Sequence, residues 1–128
     1  MPGYDATQFQ PPAPVAFVTL RNPQTGKTLA DVTMLLDTGA DVTLLSRSII
    51  DALTISVVPD QRYELVGFDG STSFSPLVRL DLFFLRRRFR GQFLLIEQPW
   101  GILGRNILNQ LPLVFDGPRL MWDIVQKT

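Results

Sequence analysis

The sequence predicts an all-β domain carrying one or two short helices. Segments rich in β-branched, aliphatic and aromatic residues recur at short intervals, and clusters of glycine, proline, asparagine and aspartate separate them. Only two stretches show apolar residues at helical spacing, and each is one or two turns long. Strands spaced in this way either close into a barrel or stack as a sandwich. With 128 residues and 45% hydrophobic content, the chain suits one compact domain that buries well over half of its unfolded surface.

Residues 1–14 hold Pro2, Pro11, Pro12 and Pro14 among glutamines, a composition that predicts a flexible tail ahead of a domain over residues 15–128. PVAFVTLRN and KTLADVTMLL then read as two strands of a hairpin, joined through Asn22-Pro23-Gln24-Thr25-Gly26. Residues 42–46 extend the β pattern. Ser46 is expected to N-cap a short helix through RSIIDAL, with Ile49, Ile50 and Leu53 on one side. A second hairpin follows, its tip bracketed by Gly67 and Gly70. VRLDLFFL and GQFLLI flank RRRFRG as a third, with Arg86, Arg87, Arg88 and Arg90 expected in a solvated turn. GRNILNQL places apolar residues at 107, 108 and 111, a brief helix stopped by Pro112. LVFDGPRLMWDIV closes the chain as two short strands about Asp116-Gly117-Pro118.

Composition excludes most hydrolytic chemistries. Histidine and cysteine are both absent, so serine–histidine and cysteine–histidine pairs, disulfides and thiolate or imidazole zinc sites cannot form within the chain. The two lysines, Lys27 in a turn and Lys127 near the end, are poor candidates for an activated amine. Carboxylates remain, ten of the twelve being aspartates. No metal or cofactor is expected. Twelve basic residues balance twelve acidic ones, so neither nucleic acid nor membrane is expected as a partner. MPGYDATQFQPPAP lacks a basic stretch followed by an apolar one, and no apolar run approaches ~18 residues, so a soluble, cytoplasmic protein is expected.

The informative segment is LLDTGADVTLL, where aliphatic residues deliver Asp37 into a turn of Thr38, Gly39 and Ala40. A carboxylate beside Leu35, Leu36, Leu44 and Leu45 needs hydrogen bonds or a shared proton to be tolerated. Thr38 offers a hydroxyl to lock the turn, and Gly39 lets another backbone approach closely. These are the parts of a preorganised carboxylate site.

Asp37-Thr38-Gly39-Ala40-Asp41, preceded by Leu35-Leu36, resembles the active-site signature of retroviral-type (retropepsin-like) aspartic proteases. Ile102-Leu103-Gly104-Arg105-Asn106 resembles their second signature, about 65 residues on, with a glycine-bearing hairpin between. The resemblance covers roughly residues 15 to 125 and implies a single-lobe acid-protease barrel that works as an obligate homodimer on protein or peptide substrates. It implies that Asp37 is catalytic, that the Thr38 hydroxyl braces the paired turns across the dimer, and that Gly39, Ala40 and Asp41 contact substrate backbone. Asp41 would pair with Arg105. Gly67, Phe68, Asp69 and Gly70 would form the flap, and Pro99, Trp100 and Ile102 a wall of the side-chain pockets. The flap tip has fewer glycines than the viral pattern. The long tail after Gln110 is similar to cellular and bacterial single-lobe relatives.

A single signature supplies one catalytic aspartate where pepsin-type chemistry needs two, and a twofold dimer supplies the other. Two ionised carboxylates ~3 Å apart at an effective dielectric of ~20 repel by roughly 5 kcal/mol, so the pair shares a proton. Blander readings stand beside these: Asp37 as a turn cap, Arg105 with Asp41 as a structural ion pair, Trp100 as packing. The alternative function is a catalytically silent dimeric peptide-binding or scaffold module of the same fold. It has no need of Asp37, Thr38 and Gly39 together.

Overall fold

The computed structural model describes residues 2–66 and 69–125, without the side chains of 60–63, 65 and 73. The strands are β1 (Tyr4–Asp5), β2 (Ala13–Arg21), β3 (Thr28–Leu36), β4 (Leu44–Ser46), β5 (Val57–Val66), β6 (Thr72–Phe84), β7 (Arg87–Ile96), β8 (Gly101–Leu103), β9 (Leu113–Asp116) and β10 (Met121–Ile124). Two short helices interrupt them, α1 (Ile49–Leu53) and α2 (Arg105–Leu108). The fold is all-β, as the strand spacing predicts.

The main sheet runs β1-β2-β3-β8-β4-β7-β6-β5, and a further β2–β6 pairing joins its strands into a closed ring. Closure satisfies main-chain donors and acceptors that an open sheet would leave on its edges. Alternation along the strands fills the ring: Val18 and Leu20 of β2, Met34 and Leu36 of β3, Leu80, Leu82 and Phe84 of β6, Phe93 and Leu95 of β7, and Leu103 of β8 share one core. Each large aliphatic side chain so buried contributes about 1.5–3 kcal/mol. The three predicted long hairpins form, β2–β3, β5–β6 and β6–β7.

β9 and β10 pair as a separate two-stranded sheet, fastened to the barrel by Trp122. Its indole N–H donates to the Val15 carbonyl at 2.8 Å, and its ring lies 5.9 Å from that of Phe84. The N-terminal segment also holds this sheet. Gly3 bridges to Met121, and the Tyr4 N–H donates to the Leu120 carbonyl.

Five expectations change. The turn of the β6–β7 hairpin is Leu85-Arg86, not the whole arginine run, and Arg87, Arg88 and Arg90 belong to β7. Leu85 and Arg86 have φ of 51° and 63°, the backbone that matches the twist of a two-residue hairpin and is usually announced by Asn-Gly. Ser46 does not cap α1. Ser48 stands at the N-cap without a side-chain cap bond, and Ser46 Oγ lies 3.0 Å from Ser48 Oγ. The strand within 42–46 begins at Leu44, Val42 and Thr43 lying ahead of it. Residues 4–5, expected in the tail, pair with Ala13 and Pro14 as β1 and β2. Asn22, expected only as a turn residue, is buried and donates from its side-chain amide to the carbonyls of Leu53 and Thr54 at the end of α1.

Candidate active site

β3 carries its apolar residues inward and ends at Leu36, so Asp37 emerges half-buried at the rim of the core. The site arises where β8 enters the sheet between β3 and β4. β8 runs parallel to β3, with Leu36 opposite Leu103, and meets β4 on its other side through Leu44 and Ile102. The segment after Asp37 thereby lies against the segment after β8.

Main-chain and side-chain bonds knit the two segments. The Asp37 N–H donates to the Leu103 carbonyl at 3.1 Å, and the Arg105 N–H to the Ala40 carbonyl at 2.8 Å. The Arg105 guanidinium donates to the Thr38 carbonyl at 2.7 Å. Thr43, buried to 2% exposure, uses its hydroxyl twice: it accepts from the Gly104 N–H at 3.1 Å and donates to Asn106 Oδ1 at 2.7 Å. Asp37 Oδ1 accepts the Gly39 N–H at 2.9 Å, so one carboxylate oxygen is oriented by its own turn and the other makes no bond among the described residues.

Glycine at 104 is required by space. Its φ of −93° suits any residue, but a Cβ there would collide with the Val42 carbonyl and crowd the Ala40 carbonyl oxygen at 3.0 Å. A Cβ at Gly39 would press on Asp37 Oδ1 at 3.1 Å.

The sites predicted from sequence are brought together unevenly. Asp37, Thr38, Gly39, Ala40 and Arg105 form one cluster. Asp41 is exposed and makes no ion pair with Arg105. The guanidinium instead has the Thr38 carbonyl as its partner, and an exposed pair with Asp41 would add little. Ile102 sits in β8 opposite Leu35. Pro99 is exposed, while Trp100 is half-buried and meets the edge of Phe9, ring centroids 4.8 Å apart. Of the flap tip, Gly67 and Phe68 lie outside the described residues. Asp69 accepts the Ser71 N–H at 2.9 Å; the Ser71 hydroxyl and then its N–H hold the Asp69 carboxyl below the ordinary range. Gly70 has a φ of +82°, which glycine adopts without strain. Sequence reading missed Thr43 and Phe9. Thr43 carries a signal, a lone hydroxyl between apolar residues after the turn; Phe9 carries none. Among the described residues no group of acids is placed to hold a metal ion.

A family model described as aspartyl protease matches residues 24–107, a span that contains both signatures and the strands that join them. The chain belongs to the aspartyl protease family. Its structure is similar to that of the EIAV protease complexed with the inhibitor HBY-793, at 22% identity, 77% coverage of this chain, 86% of that chain and a TM-score of 0.56. This likeness shows the retropepsin-like fold of the aspartyl protease domain. No curated protein matches the chain. Among the described residues no helix is long and apolar enough to cross a membrane.

Proposed function

We propose that this aspartyl protease is an endopeptidase that hydrolyses extended polypeptide segments with Asp37 from each of two identical chains. The observation that carries the reading is the knitting of the Asp37 turn to the β8–α2 segment, which holds one carboxylate at a rim where a second copy can present another. The paired carboxylates share one proton. The ionised member takes a proton from a bridging water, whose oxygen attacks the scissile carbonyl carbon. The protonated member donates to the carbonyl oxygen. The tetrahedral intermediate then collapses with cleavage of the C–N bond and return of a proton to the departing amine.

In this reading the Thr38 hydroxyl, which has no partner among the described residues, bonds to the other copy. Gly39, Ala40 and Asp41 contact the substrate main chain, and the tip at Gly67, Phe68 and Asp69 closes over it. Pro99, Trp100 and Ile102 wall the side-chain pockets. Arg105 supports the turn through the Thr38 carbonyl. Val114 and Phe115 of β9 are exposed, 50% and 39%, on a strand paired only with β10 among the described residues; an open apolar edge supports dimerisation there.

The test is cleavage of an unstructured protein by wild type and by Asp37→Asn, with and without a pepstatin-type transition-state mimic. The near-isosteric amide should abolish cleavage while leaving the fold intact. Excess Asp37→Asn chains should also poison wild type under subunit exchange, since a mixed pair holds one competent carboxylate. Cleavage surviving in a clean Asp37→Asn preparation would falsify the assignment.

A further inference from the structure

The arginines of β7 build a surface that the proposed reaction does not use. Residues opposite one another on antiparallel strands share a side of the sheet. The register sets Arg88 against Phe83, Arg90 against Asp81 and Gln92 against Arg79 across β6 and β7, while Arg21 of β2 lies opposite Asp81 on the other flank. Leu80, Leu82 and Phe93, of the alternate parity, are buried in the core, so this set faces outward.

Four arginines therefore share the outer side of β2, β6 and β7 with one carboxylate. Asp81 is fully buried beneath them, bonded to Arg90 at 2.8 Å and Arg21 at 3.4 Å. Arg79 and Arg88 are exposed and form no ion pair among the described residues. Asp31 stands at the bulge of β3, on the far side of β2 from these strands. On a chain whose formal charges cancel, the positive charge is local, and local charge selects partners.

Beside this surface lies a groove of about 300 Å³ lined by Arg88, Arg90, Gln92, Asn106 and Gln110. A smaller cavity of about 150 Å³ shares Gln92 and Asn106 with it and reaches Thr43, the residue that braces the Asp37 turn. Guanidinium forks match carboxylates with two parallel bonds. Side-chain amides offer donors and acceptors together, as a peptide main chain does, whereas a phosphodiester strand presents acceptors at its backbone. Phe17 of β2, 63% exposed, lies on the same side as Arg21 and adds an apolar contact.

We infer that the outer β6–β7 surface and its groove dock an acidic polypeptide segment, at a site separate from the residues proposed to cleave. Binding can be measured on Asp37→Asn, so the inference stands or falls apart from the cleavage reading. Fluorescence anisotropy of a labelled glutamate-rich peptide should show binding that falls with added salt and weakens at least about tenfold on combining Arg79→Glu with Arg88→Glu. Both side chains are exposed and form no ion pair among the described residues, so the far-UV spectrum should not change. If the double variant does not fold, Arg88→Ala gives the same comparison with an expected loss of about threefold. Equal peptide binding by folded variant and wild type overturns the inference, as does tighter binding of a single-stranded oligonucleotide than of the peptide at the same salt.

Discussion

Two residues show how tightly single positions of this fold are constrained, one in the candidate site and one under the outer β6–β7 surface. At Gly104 an added methyl meets the main chain of Val42 and Ala40, which cannot move without shifting the Asp37 turn. Gly104→Ala is expected to cost about 1–3 kcal/mol by overpacking and to abolish cleavage, whereas Gly91→Ala, with open space around it, should do neither. Urea unfolding of both variants checks this, and equal midpoints would refute the close approach. The second residue is Asp81. The hydrogen bond from Arg90 holds its carboxyl below the ordinary value of 3.8, against the opposing effect of burial, with the charges of Arg90, Arg88 and Arg21 assisting. Because the folded value is the lower one, the stabilisation is present above 3.8 and is lost as pH falls through the depressed folded value. Arg90→Ala leaves Asp81 buried with only the longer Arg21 contact, while Arg88→Ala removes no bonded partner. The melting temperature near neutral pH should therefore drop clearly in Arg90→Ala and hardly at all in Arg88→Ala. The gap between Arg90→Ala and wild type should narrow in acid.

Among the elements, the terminal β9–β10 sheet depends on one side chain. Trp122 is buried to 2% exposure, packs on Phe84 and supplies the N–H for the Val15 carbonyl. Trp122→Ala should cost about 3–5 kcal/mol, read as a lower urea midpoint. Trp122→Phe, which keeps much of the packing but not the indole donor, should lose less. A two-stranded hairpin is marginal by itself, so if Trp122→Ala melted like wild type, the sheet would have to be held by its N-terminal contacts at Gly3 and Tyr4 instead. The β6–β7 hairpin makes a different point at this scale. Its two-residue turn places Leu85 and Arg86 at positive φ, a conformation imposed by the long strand register on either side rather than by the residues themselves.

For the molecule as a whole, the prediction is concentration dependence. If each active unit needs two copies of Asp37, specific activity should fall on dilution below the dimer dissociation constant, and a bridging substrate-like inhibitor should stabilise the dimer by mass action. Phe115→Asp, at an exposed position of β9, should move that fall to higher protein concentration while leaving the monomer fold intact. Sedimentation measured beside activity decides the matter. A monomeric preparation that cleaves at full rate would sink the shared-site reading.

The sequence alone determined the β class, the three long hairpins, the terminal pair of strands and the two signatures, because alternation, turn residues and short motifs are local properties. It also restricted the chemistry, since a chain without histidine or cysteine leaves carboxylates as the natural groups. What only the tertiary structure decided involves residues distant in sequence. Ring closure through β2–β6, the pairing of β8 with β3 that ties Asp37 to Leu103, and the double use of the Thr43 hydroxyl each join segments 60 or more residues apart. The arginine run differs from its local reading for the same reason. Charged residues read locally as a turn, but the register with β6 set Arg87, Arg88 and Arg90 along β7, with Arg90 opposite the buried Asp81, where pairing across the sheet outweighed local preference.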